Sequence, residues 1–66
     1  MQIATICFRD LDSGDEAAAV VRVEGGIAAL ALSLKQAGDI EVFFGKQELD
    51  QLIEALQKAR GVLPGA

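Results

Sequence analysis

Four residue types are missing from this sequence of 66 residues, which contains no His, Trp, Tyr or Asn. Without an imidazole there is no Ser–His or Cys–His nucleophile pair, no His general base and no His-liganded zinc. The single Cys7 cannot form an internal disulfide or a thiolate metal cluster. We therefore predict a protein that is not an enzyme, holds no cofactor or metal, and works in the reducing cytoplasm.

Long apolar runs and clustered positive charges are also scarce. Charged residues such as Arg22, Glu24, Lys35 and Glu41 interrupt the apolar stretches before they reach the roughly 20 residues of a membrane span. Residues 1–8 lack the basic start and the length of a signal peptide. Six basic against ten acidic residues give a net charge of −4, which disfavours a nucleic-acid partner. We expect no membrane partner.

The residues that are present predict one folded domain over 1–66, because 52% of them are apolar. Short β-branched or alternating segments, bounded by turn residues, predict four strands at 2–8, 16–24, 27–35 and 40–44. An apolar stripe with helical spacing predicts a helix from 46 to 60. Gly45 is its expected N-cap, Gly61 its left-handed stop, and residues 62–66 a loose tail.

The Gly25-Gly26 pair predicts a two-residue hairpin loop. With that loop, residues whose numbers add to 51 face each other across the second and third strands. Glu16 then faces Lys35, and Val21 faces Leu30, so charge and apolar pattern agree in one register. The predicted fold class is α+β: a four-stranded antiparallel meander followed by one C-terminal helix packed on one face.

Alternation divides the predicted sheet into two faces. The face that carries Leu30, Leu32 and Leu34, here called the leucine face, is expected to be apolar throughout. Its expected members are Ala4, Ile6, Phe8, Ala17, Ala19, Val21, Val23, Ala28, Leu30, Leu32, Leu34 and Phe43. The face that carries Arg22, here called the arginine face, is mixed. Its expected members are Ile3, Thr5, Cys7, Ala18, Val20, Arg22, Ala29, Ala31, Ser33, Ile40, Val42 and Phe44.

One helix can cover only one of these faces. We expect its stripe, formed by Leu49, Leu52, Ile53, Leu56 and Ala59, to cover the leucine face. The arginine face would then keep more apolar surface than a soluble monomer usually exposes, which predicts a homodimer or small oligomer. The expected interface residues are Ile3, Thr5, Val20, Arg22, Ala29, Ala31, Val42 and Phe44. Pairing of edge strands and a monomer partly covered by the tail are the alternatives.

Three other features are candidate binding or reactive sites. The acidic segment 10–16 departs from a calcium-binding loop where ligands and glycine are required, so it predicts a turn built on Asx hydrogen bonds. Cys7 lies among apolar residues and predicts a small buried hydrophobe. Arg22 interrupts an apolar strand and predicts an arginine whose stem packs while its head meets water. The two alternatives are a carboxylate partner and a binding spot in a cleft between subunits.

These observations predict a small non-enzymatic interaction or regulatory module that acts as a homo-oligomer, with itself or another protein as partner. The order of four strands and a helix resembles that of Whirly-type single-stranded DNA-binding domains, although no sequence motif accompanies the resemblance. That resemblance implies a basic groove in which aromatic side chains stack on bases. To form such a groove the chain has 3 Phe and 6 basic residues. A weak metal or small-molecule site in the acidic segment is the other alternative.

Overall fold

The predicted order of four strands and one helix is confirmed by the structure, a computed structural model that describes residues 1–65. Within these residues the elements are β1 Gln2–Arg9, β2 Glu16–Glu24, β3 Ile27–Leu34, β4 Gly38–Phe44 and α1 Lys46–Val62. All neighbouring strands are antiparallel and follow each other in chain order across the sheet. The α+β meander followed by a helix is therefore confirmed.

The β2–β3 hairpin has the predicted register. Val21 faces Leu30, and the Lys35 amino group lies 3.7 Å from a Glu16 carboxylate oxygen. Gly25 has a positive φ of 60°, whereas Gly26 does not. A two-residue loop with glycine in the left-handed region at its first position is a type II′ turn, whose twist matches that of the strands it joins.

The β3–β4 hairpin has a loop one residue shorter than predicted, and β4 begins two residues earlier, at Gly38. Its loop contains three residues, 35–37, and Leu34 pairs with Gly38. Gly38 has a φ of 90° and follows a turn closed by the Ala37 N–H donating to the Leu34 carbonyl, 3.2 Å away. Because a shift of one residue turns every side chain of a strand to the other face, our assignment of β4 to faces is wrong throughout.

The helix ends later than predicted. Gly61 lies inside α1 and its φ is not positive, so the predicted left-handed stop is wrong. The helix is capped by Leu63, whose φ of −64° and ψ of 135° are extended. Pro64 forces this change, because a proline ring clashes with a preceding residue in helical conformation. Val62 therefore belongs to the helix and not to the predicted tail, and residue 66 lies outside the described residues.

Very little of the described chain is buried. Over residues 1–65 the buried hydrophobic residues are Ala28 and Ala29, with exposed fractions of 7% and 5%. The Cα atoms of α1 come within 8 Å of those of β3 and β4 but not of those of β1 or β2, and the helix buries none of its own residues. The stripe therefore leaves much of the leucine face open, since Ile6, Leu32 and Ile40 remain exposed, and the predicted cover is incomplete. The molecule is thin, with extents of 35 × 29 × 16 Å.

Candidate interaction surface

The register defines the true composition of the leucine face. Cross-strand pairing places Leu30 beside Val42, Leu32 beside Ile40, and Ala28 beside Phe44. No charged side chain lies on this face. Its members from the four strands are Ala4, Ile6, Phe8, Ala17, Ala19, Val21, Val23, Ala28, Leu30, Leu32, Leu34, Gly38, Ile40, Val42 and Phe44.

The leucine face is open to solvent in the single chain. Five of its large side chains are between 47% and 63% exposed, and they come from β1, β3 and β4: Ile6, Phe8, Leu32, Ile40 and Val42. Soluble monomers seldom expose a continuous apolar patch of more than a few hundred Å². This patch extends across the sheet and is therefore the main candidate for a functional surface.

A groove lies on the leucine face along the part of β2 that begins at Glu16; Val21 and Val23 fill the same row further along the strand. β2 contributes the small residues Ala17 and Ala19, whereas its neighbours contribute Ile6 and Phe8 on one side and leucines on the other. Since adjacent strands lie about 4.8 Å apart, the ridges on either side are roughly 10 Å apart. A depression of about 360 Å³, lined in part by Phe8, Ala17 and Leu32, lies at one end of the groove.

The arginine face is mixed, and its charged residues include the cross-strand ion pairs Arg22–Glu41 and Glu16–Lys35. The Arg22 guanidinium donates a hydrogen bond to the Glu41 carboxylate on β4, as one of our two alternatives for Arg22 predicted. This hydrogen bond and the charge of Glu41 raise the pKa of Arg22 above its usual value. The exposed apolar side chains here are Ile27 and Phe43, which border a recess of about 200 Å³ beside Arg22.

The predicted interface residues do not share one surface. The pairing places Val42 and Phe44 on the leucine face, so their assignment to the arginine face is wrong. Ile3 lies in a β-bulge between Gln2 and Ala4. The other five remain on the arginine face: Thr5, Val20, Arg22, Ala29 and Ala31.

The two remaining candidates from the sequence are Cys7 and the acidic segment 10–16. Cys7 is exposed on the arginine face, so the prediction of a buried thiol is wrong for the single chain. The acidic segment forms the predicted turn, in which the Asp10 carboxylate accepts hydrogen bonds from the Ser13 N–H and hydroxyl at 2.8 and 2.7 Å. Across the described part of the chain, no three acidic or thiol side chains converge into a group able to hold a metal ion.

Sequence reasoning placed Ile40 on the arginine face, and a local signal could have assigned it to the leucine face, where it pairs with Leu32. Gly38 marks the position that a three-residue hairpin loop places in the left-handed region. Such a loop pairs residues 34 and 38, which aligns Ile40 with Leu32 and Ile6 in one row across the sheet.

The fold and this surface define a small α+β protein with an unpartnered apolar sheet face. No family model, curated protein or solved structure matches the chain in any of the three comparisons. Over residues 1–65, no helix has both the length and the apolar content required to cross a membrane.

Proposed function

We propose that this chain is a non-enzymatic interaction or regulatory module whose working form is a homo-oligomer assembled through the leucine face. The observation that carries the proposal is the lack of any buried large side chain in residues 1–65, combined with an open apolar face. Each large apolar side chain that is fully buried stabilises a fold by about 1.5–3 kcal/mol. A single copy forgoes most of this stabilisation, and a second copy would supply it.

The size of the exposed surface supports the same proposal. The chain exposes 5383 Å², whereas a compact monomer of 6.9 kDa exposes about 4,000 Å². The excess of roughly 1,400 Å² is larger than the roughly 800 Å² that each partner contributes to an interface of standard size. The radius of gyration is likewise large, at 13.3 Å against about 11 Å for a compact chain of this length.

The chemistry of the two faces supports interaction over catalysis. Within the described strands, no residue of the open face has a titratable side chain that could transfer a proton or attack a substrate. The depression at the end of its groove is also lined by Asp10, in the loop after β1, and by Asp39, whose strand position is on the arginine face. On the other face, Arg22 is paired with Glu41 and Lys35 with Glu16. A cytoplasmic setting is part of the proposal. Small secreted domains usually rely on disulfides, and a chain with one cysteine cannot form an internal disulfide.

The mass in solution tests this proposal. Size-exclusion chromatography with light scattering should report at least twice the 6.9 kDa of one chain at micromolar concentration. Refractive-index detection is required, because the chain has no Trp or Tyr to absorb at the usual wavelength. A folded species of 6.9 kDa, shown by circular dichroism to keep its strands and helix throughout a dilution series, would overturn the proposal.

A further inference from the structure

The helix carries a second apolar surface that its own chain covers only in part. Leu49 and Leu52 are only partly exposed, but Ile53 and Leu56 are 44% and 59% exposed. All four lie on one side of the helix, because their spacing of three and four residues follows the helical turn. The unfilled groove lies along β2, and no Cα atom of α1 comes within 8 Å of a β2 Cα atom in its own chain.

The groove and the helix stripe match in shape and chemistry. The groove has an alanine floor and bulky apolar walls roughly two strand spacings apart. A row of leucine and isoleucine side chains at helical spacing can enter such a groove, as amphipathic helices do when they bind apolar grooves. With 17 residues, α1 is about 25 Å long, which is comparable to the roughly 30 Å of the nine-residue strand β2, along part of which the groove lies.

We propose that in the homodimer helix α1 of each copy lies in the β2 groove on the leucine face of the other copy. This inference rests on the proposed function, and it specifies how the two copies meet. A two-fold contact of this kind repeats the same pairing twice, helix to groove and groove to helix. Both unpartnered apolar surfaces of each chain are then buried in one assembly.

Packing of the two leucine faces directly on each other is the competing arrangement. It would bury the groove residues but leave Ile53 and Leu56 of both copies in water. Reciprocal helix docking covers both sets, and it accounts better for an excess surface of roughly 1,400 Å² per chain. The acidic and basic residues of the arginine face stay solvated in this arrangement.

Isotope-filtered NMR on the unmodified full chain tests the arrangement. An equimolar mixture of labelled and unlabelled protein should show nuclear Overhauser effects between copies that join Ile53 and Leu56 methyl groups to those of Ile6, Ala17 and Ala19. The inference would be overturned, and the proposed function would stand, if the contacts between copies joined only sheet to sheet or helix to helix and no helix-to-groove contact were found. Helix-to-groove contacts found only within one chain would have the same consequence. A monomeric mass would overturn both.

A matched pair of helix variants provides a second measurement. Leu56→Asp places a charge in the docked stripe, whereas Gln51→Asp adds the same charge on the opposite side of the helix. We expect Leu56→Asp to raise the dimer dissociation constant at least tenfold and Gln51→Asp to change it less than about threefold. Equal effects of the two variants would overturn the inference, and if Leu56→Asp does not fold, the NMR contacts decide.

Discussion

At the scale of single residues, Asp10 organises the loop between β1 and β2. Its carboxylate accepts two hydrogen bonds from Ser13, and its backbone carbonyl accepts one from the Gly14 N–H at 2.8 Å. The Arg9 guanidinium donates to the Gly14 carbonyl oxygen at 2.6 Å. The Ser13 hydroxyl and then the Ser13 N–H lower the pKa of Asp10, because both favour the ionised carboxylate.

Replacement of Ser13 should therefore change the titration of Asp10. We expect Ser13→Ala to raise the pKa of Asp10 toward its ordinary value, because the larger of the two contributions is lost. A carboxyl group whose pKa is lowered by folding stabilises the protein above its unfolded-state pKa, and this contribution disappears as the pH falls through the folded-state pKa. The loss of stability in Ser13→Ala should accordingly be present at neutral pH and vanish in acid.

Carbon-detected NMR of the Asp10 carboxyl group would measure this titration, with unfolding curves at neutral and acid pH alongside. Ser13→Thr is the matched control, because it keeps a hydroxyl at the same position. An unchanged Asp10 pKa in Ser13→Ala would contradict the hydrogen bonding described for this loop.

At the scale of elements, the two glycines of the β2–β3 turn have different conformations and should respond differently to the same substitution. Gly25→Ala should lower the free energy of unfolding by about 1–2 kcal/mol, because an L residue is strained at a φ of 60°. Gly26→Ala should be neutral or stabilise by up to about 1 kcal/mol, because its φ is not positive and the unfolded chain loses freedom.

Denaturant unfolding at one fixed protein concentration would measure both variants. The comparison isolates backbone strain, since a Cβ added at either glycine meets no atom within 4 Å. A larger loss for Gly26→Ala than for Gly25→Ala would contradict the type II′ assignment.

The end of the helix offers another test at this scale. Gly61 is an interior helical residue with open space around it. Gly61→Ala should therefore raise the free energy of unfolding by about 0.5–1 kcal/mol, because glycine is less favourable than alanine within a helix. The helical circular dichroism signal and denaturant unfolding would report the change. A destabilising Gly61→Ala would instead indicate the left-handed C-terminal stop that the sequence alone had predicted.

Individual elements were largely predictable from the sequence, because their signals are local. The β2–β3 register follows from a two-residue glycine loop and from the agreement between the Glu16–Lys35 pair and the apolar alternation. We assigned the side chains of β4 to the wrong faces because residues 40–44 are apolar at every position except Glu41. Either register therefore places apolar side chains on both faces, and the hydrophobic pattern does not distinguish the two registers. Loop geometry at Gly38, and not hydrophobic pattern, decides that face.

At the scale of the whole molecule, the two faces of β1 should differ in their sensitivity to charge. Ile6 and Thr5 are adjacent, both exposed in the single chain, and lie on opposite faces. If the leucine face is an interface, Ile6→Asp buries an unpaired charge, and it should cost at least about 2 kcal/mol more stability than Thr5→Asp. A working monomer would tolerate the two substitutions nearly equally.

Thermal unfolding at several protein concentrations would measure this difference. The Tm of the unmodified chain and of Thr5→Asp should rise with concentration, since association stabilises the folded state by mass action. The Tm of Ile6→Asp should be lower and nearly independent of concentration. A concentration-independent Tm in all three proteins would argue against assembly.

The sequence by itself determined the strands, the helix, the main hairpin register and the excess of apolar residues, because turn residues and periodicity act over a few neighbours. Tertiary structure alone decided which face of the sheet stays open. That outcome depends on one residue of loop length before Gly38 and on a helix that reaches β3 and β4 but not β1 or β2. Both are relations between elements, and local sequence patterns, which act over a few neighbours, do not encode them.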